Sequence, residues 1–139
     1  MEDTIPTHIS TGAIHHIALT VSDLSRSRAF YSSLLGFREI ADLGSRVLLS
    51  NGNVVLAVTL PPDPGQAIAK DRFNENRLGL DHLSLSVGSK ADLEQAARLF
   101  DERGVSHGEI EDLTAALGIY VLAFRDPDNI QMELTAPGK

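Results

Sequence analysis

The chain contains no cysteine among its 139 residues. That excludes a disulfide framework and any thiolate metal site, so a bound metal would have to be held by His, Asp or Glu. Tryptophan is absent too, and aromatics make up only 5% of the chain. Positive charge is scarce: 12 Lys and Arg stand against 19 Asp and Glu, for a net charge of −7. There is no Lys/Arg cluster to offset that sign. Nucleic acid and anionic membrane surfaces both call for a basic face, so neither is an expected partner. Long apolar runs are missing as well. The longest nearly apolar stretch, Ala115–Phe124, is far short of the ~20 residues that span a bilayer. Met1 to Ile14 shows no basic region followed by an apolar run, so no signal peptide is expected. These absences together predict a cytoplasmic chain. Hydrophobic residues at 42% suffice for one core at this length, which predicts a single domain.

What is present is a repeat. His16-Ile-Ala-Leu-Thr-Val21 opens one half and His82-Leu-Ser-Leu-Ser-Val87 opens the other. Both alternate apolar and polar residues, the signature of a half-buried strand. Ile17, Leu19 and Val21 point one way, and His16, Ala18 and Thr20 the other. Leu83, Leu85 and Val87 oppose His82, Ser84 and Ser86 in the same manner. After the first strand, Ser22 or Ser25 can cap a helix whose stripe is Phe30, Tyr31, Leu34 and Leu35, closed by Gly36. Strands follow over 37–42, 45–50 and 54–60, with Asn51-Gly-Asn53 as a hairpin turn. Pro61, Pro62, Pro64 and Gly65 end that run.

The second half repeats the order. Ser89-Lys-Ala-Asp92 reads as a capping box, Leu93, Ala96, Ala97 and Phe100 as the buried stripe, and Gly104 as the stop. Strands are expected over 105–110, 118–125 and 130–135, with Asp126-Pro-Asp-Asn129 as a turn. The prediction is an α+β fold of two tandem βαβββ modules. They would form a cup-shaped mixed β-sheet with helices outside. Module one covers 13–60, a linker 61–78 and module two 79–136. Short links within each half imply antiparallel neighbours.

Alternation also locates a candidate site. Glu133 lies between Met132 and Leu134, so it shares the opposite face with Gln131 and Thr135. His16 and His82 fall on the free faces of their own sheets. Two imidazoles and one carboxylate make a three-ligand set with open positions, suited to Fe, Mn, Ni or Zn. Aligning the closing strands of the two halves pairs Glu133 with Ala57, which cannot bind a metal. Arg46, Ala57, His107 and Tyr120 are candidates for contact with substrate. His15 alternates onto the helix side, and His8 falls in an N-terminal arm. There is no G-x-G-x-x-G motif, P-loop or G-x-S-x-G elbow.

Four stretches carry a resemblance: His15–Leu24, Ala29–Phe37, Leu80–Val87 and Phe124–Leu134. In these the chain resembles the vicinal oxygen chelate superfamily, the glyoxalase/bleomycin resistance/dioxygenase group. The resemblance implies a cup of two βαβββ modules around a divalent metal, with His16, His82 and Glu133 as ligands. It also implies a small-molecule substrate and a homodimer, in some members with modules exchanged between subunits. Glyoxalase I proper has a fourth ligand where this chain has Ala57. Fosfomycin-modifying members have a Thr where this chain has Ala18, and a basic region beyond the last Glu. Extradiol dioxygenases share the His, His, Glu set and need a further acid–base His, for which His107 is the candidate. The sequence therefore favours a dioxygenase-like metal enzyme with Glu133 as catalytic carboxylate. A glyoxalase-like lyase or isomerase, and a non-catalytic binding protein of the bleomycin-resistance kind, are the alternatives.

Overall fold

Strand β1 (His16–Thr20) runs parallel to β4 (Val55–Thr59), although the links between successive strands in this half are short. Between them lie helix α1 (Leu24–Ala29), β2 (Arg38–Asp42) and β3 (Arg46–Ser50), giving a four-stranded sheet in the order β1-β4-β3-β2. The second half repeats the pattern. Strand β5 (Leu83–Ser86), helix α2 (Lys90–Arg103), β6 (Glu111–Leu113), β7 (Ile119–Arg125) and β8 (Gln131–Pro137) form a sheet ordered β5-β8-β7-β6. This computed structural model describes residues 5–139. The fold is α+β, built of two βαβββ units, each with one parallel pair at its edge.

The repeat extends to single bonds. Val21 N–H donates to Thr59 O at 2.8 Å, and Val87 N–H to Thr135 O at 2.9 Å, at the same place in each half. Ser89 caps α2 as expected: its hydroxyl accepts from the Asp92 N–H. Gly104 ends that helix at φ +68°, a conformation that costs a residue without Cβ little. The first helix departs from expectation. Its cap is Asp23, which accepts from Arg26 N–H at 3.0 Å, rather than Ser22 or Ser25. Ser22 is engaged instead by Asp128, which accepts from both its N–H and its hydroxyl. Helix α1 then widens into a π-helical turn over Phe30–Leu34.

Residues 105–110 do not form a strand. They make one bridge, His107 to Phe124, and the edge strand is Glu111–Leu113. The carbonyl ladder is met there with no apolar alternation to announce it. A short helix α3 (Thr114–Leu117) follows, ended by Gly118 at φ +68°.

Both halves contribute to one apolar core. Tyr31, Phe37, Val47, Leu49 and Val58 from the first half join Phe100, Leu122, Phe124 and Met132 from the second. Phe30 stacks on Phe124 with ring centroids 6.4 Å apart. Each such side chain contributes about 1.5–3 kcal/mol on burial. The π-helical turn carries Tyr31 into this core, where its hydroxyl donates to Asp126 Oδ2 at 2.8 Å. Asp126 also accepts from the backbone N–H groups of Asp128 and Ile130, which closes the turn between β7 and β8. Burial, followed by the Asp126 charge, pushes the Tyr31 hydroxyl far above the usual phenol range. Burial likewise raises the Asp126 carboxyl. No helix among the described residues is long and apolar enough to cross a membrane.

Candidate metal centre

Two of the three expected ligands meet. Glu133 lies in β8, opposite Ser84 of β5, and its neighbours Met132 and Leu134 are buried in the core. Alternation therefore turns Glu133 to the free face of this sheet. His82 immediately precedes β5, which begins at Leu83 and is shorter than the alternation suggests. Its Nε2 stands 3.3 Å from Glu133 Oε1. Its Nδ1 stands 2.7 Å from Asp81 Oδ1. A carboxylate can only accept, so Nδ1 carries a proton for Asp81; Nε2 faces a second carboxylate, and a divalent ion between Nε2 and Glu133 would take the place of a proton there. A histidine oriented by a carboxylate through its second nitrogen is the usual arrangement of a metal-binding imidazole.

The third candidate stands apart. His16 opens β1, on the exposed face of the other sheet, with its Nδ1 2.9 Å from His15 Nδ1. His15 is exposed rather than turned into the helix layer. Among the described residues no three His, Asp or Glu side chains are placed to hold one ion. The two sheets nevertheless offer equivalent positions. Ala57 pairs with Ala18, two residues after His16, as Glu133 pairs with Ser84, two residues after His82. The first sheet thus presents His16 with Ala57 in the place of a carboxylate, and the second the His82–Glu133 pair. The donor chemistry of the two suits a divalent ion once they are brought together.

The substrate candidates divide by face. Arg46 opens β3 opposite Thr59, and the alternation with buried Val47 and Leu49 sets it on the free face of the first sheet with Leu48 and Ser50. Ala57 lies between Leu48 and Ala18 in the same sheet and is almost fully covered. Tyr120 is on the opposite side from Glu133. It pairs with buried Ala136, and Lys90 Nζ lies 5.2 Å above its ring. His107 is on the helix side too, packed at 5.7 Å against Phe100. Its Nε2 is 2.7 Å from Asp101 Oδ1 and its Nδ1 2.6 Å from Gly108 O.

Sequence reasoning missed what surrounds His82. Gln131 Nε2 donates to Asp81 Oδ1 at 3.0 Å and to Asp81 O at 3.2 Å. Gln131 Oε1 accepts from Arg125 Nη2, and Arg125 grips Glu75 through two bonds of 2.8 and 3.0 Å. The facing of Gln131 with Glu133 was the available signal. A separate cleft of about 710 Å³ lies between the segment after β4 and the β7–β8 turn, lined by Val21, Pro62, Ile68, Phe73 and Ile130. None of His16, His82 and Glu133 lines it.

Residues 13–134 match the family described as the Glyoxalase/Bleomycin resistance protein/Dioxygenase superfamily. The uncharacterized protein YwkD of Bacillus subtilis (strain 168) is 36% identical over 131 residues, covering 88% of this chain and 94% of that protein. A solved glyoxylase/bleomycin resistance protein/dioxygenase domain from Frankia sp. EAN1pec has a TM-score of 0.71 at 30% identity, covering 92% of this chain and 93% of that one. The lactoylglutathione lyase of Agrobacterium tumefaciens has a TM-score of 0.71 at 23% identity, covering 91% of this chain and 94% of that one. At that identity the likeness is one of fold.

Proposed function

Since the chain belongs to the glyoxalase/bleomycin resistance protein/dioxygenase superfamily, we propose that it is a metal-dependent enzyme acting on a small oxygenated molecule. The observation that carries the reading is the His82–Glu133 pair at 3.3 Å, with the far nitrogen of His82 held by Asp81. A purely structural surface histidine has no need of a carboxylate on each nitrogen.

The active unit is a homodimer. Strands β1 and β5 are edge strands, and His16 and His82 sit at their starts. Unpaired edges favour covering. Ile14 lies two residues before His16, and Leu78 and Leu80 just before His82, all exposed. Placing the β1 edge of one protomer beside the β5 edge of another joins His16 of the first to His82 and Glu133 of the second. The covered Ala57 and half-buried Leu48 then floor the cavity with small and apolar groups, and Arg46 offers a cation for an anionic oxygen.

A bound divalent ion, Fe, Mn, Ni or Zn, would supply Lewis acidity toward a chelated substrate oxygen. The remaining work falls to the chain. Glu133, which would hold the ion together with the two histidines, is also the carboxylate able to take a proton from a carbon next to that oxygen. Asp81 fixes the His82 ring, and His16 supplies a ring nitrogen. A lyase or isomerase reaction that moves one proton can draw on these groups, without the fourth ligand that glyoxalase I carries where this chain has Ala57. A dioxygenase-like reaction requires a further acid–base histidine, and both nitrogens of His107 are engaged on the helix side. That observation favours the lyase or isomerase reading over the dioxygenase one.

Elemental analysis of protein grown with Fe, Mn, Ni and Zn tests the proposal. One ion per protomer is expected, lost in His82→Ala and Glu133→Ala while the circular dichroism spectrum stays that of the folded chain. A wild-type protein with no bound metal would leave only the non-catalytic binding reading. Methylglyoxal–thiol turnover against oxygen uptake with catechols separates the two reaction types.

A further inference from the structure

The hydrogen bonds around His82 do not stop at Asp81. They continue through Gln131 and Arg125 to Glu75, in the segment that joins the two modules. We propose that Gln131, Arg125 and Glu75 are positioning residues, which hold Asp81 against His82 and so make the metal affinity of the His82–Glu133 pair depend on the docking of the inter-module segment. This rests on the metal-centre reading above.

Asp81 and His82 are adjacent in sequence, and Asp81 is largely exposed, with 69% of its side chain open to solvent. An exposed carboxylate beside its own neighbour has no intrinsic reason to keep one rotamer, because water competes for every bond and side-chain freedom is lost on ordering. Gln131 supplies the reason. It bonds both the carboxylate and the backbone carbonyl of Asp81, which fixes the residue at two points. A carboxamide can itself turn over. Its oxygen, however, accepts from Arg125 Nη2 at 3.4 Å, which assigns the oxygen end and leaves the NH₂ for Asp81.

Arg125 is fixed in turn. Its fork takes both oxygens of Glu75, and Nη1 also donates to Asn129 O at 3.2 Å. Bidentate Arg–carboxylate pairs are both stronger and more directional than single contacts. The Arg125 bonds hold the Glu75 carboxyl down at about 2. The segment carrying Glu75 is pinned at a second place. Phe73 N–H donates to Asp128 O at 2.9 Å, and Asn129 Nδ2 donates to Phe73 O at 3.0 Å. Residues 73–75 therefore dock on the β7–β8 turn, and the same chain leads seven residues later into His82. Partners of metal ligands outside the coordination sphere commonly change affinity by about 10–100-fold when removed.

Two readouts test this, the first needing no metal. In the metal-free dimer, a ¹⁵N-edited spectrum should show a slowly exchanging, downfield His82 Nδ1–H proton. Gln131→Leu should abolish that signal, and Glu75→Ala, at the distal end of the chain of bonds, should speed its exchange. In the second readout, Zn²⁺ binding by competition with a chelating dye should weaken about 10-fold or more in each variant. If Gln131→Leu does not fold, Glu75→Ala decides alone. Wild-type values for both proton exchange and Zn²⁺ affinity in Glu75→Ala would overturn the proposal. A wild-type protein that shows the protected proton yet binds no Zn²⁺ would overturn the metal-centre reading, and with it the coupling to affinity, while leaving the bond network in place.

Discussion

His107 is held between two acceptors, and this favours the doubly protonated ring. Asp101 Oδ1 faces Nε2 and Gly108 O faces Nδ1, so the protonated ring can donate to both at once. The bond to Asp101, then that to Gly108, raises the ring above its ordinary value of about 6.5. A group whose folded value is raised stabilises the fold fully below the unfolded value, and that contribution is lost as pH rises through the folded value. His107→Phe should therefore reduce stability more at pH 6 than at pH 9, measured by urea unfolding at each pH. An equal loss at both would contradict the assignment. The sequence exposed the three ligand candidates because alternation fixes the side of a strand to which His16, His82 and Glu133 belong. It could not separate His107 and Tyr120 from them. In Ile119–Arg125 both alternating sets are apolar, Ile119, Val121 and Ala123 against Tyr120, Leu122 and Phe124, so periodicity does not say which face is the core.

At the scale of the element, α1 carries the clearest local cost. Ser27 is fully buried and its hydroxyl has no partner among the described residues. Ser27→Ala removes that hydroxyl and substitutes a better helix former. A gain of about 1 kcal/mol is expected, seen as a higher urea midpoint with an unchanged slope. A loss would show that the hydroxyl is satisfied by a bound water. Elements with their own chemical punctuation were legible: Ser89 before α2, Gly104 after it, and the alternating β1 and β5. Where two cap-competent residues are neighbours, local chemistry is degenerate. Ser22 and Asp23 can each cap a helix, and the choice was made by Asp128, about a hundred positions away, which takes Ser22. The edge strand Glu111–Leu113 is set by backbone pairing with β7 and not by side-chain pattern, so residues 105–110 read as the strand in its place.

For the whole molecule, the repeat dictates an architecture that a single chain leaves open. The two modules share one core through Phe30, Tyr31, Phe100 and Phe124, while their edge strands and His residues remain available. The matching registers place His16 and His82 at equivalent positions, and Ala57 stands where Glu133 does in the other half, so in the proposed site the two halves are complementary rather than redundant. The sequence carried this duplication and its one mismatch. It could not carry the proposed pairing of protomers, because edge strands look alike whether their partner is in the same chain or another. If His16 of one protomer serves His82 and Glu133 of its partner, two defective proteins should repair each other. The direct measurement is metal stoichiometry in a heterodimer of His16→Ala with His82→Ala, purified by two different affinity tags. One ion per heterodimer is expected, from the site that keeps His16 of one protomer and the His82–Glu133 pair of the other. No bound ion in that heterodimer, with one per protomer in the wild type, would contradict the shared site.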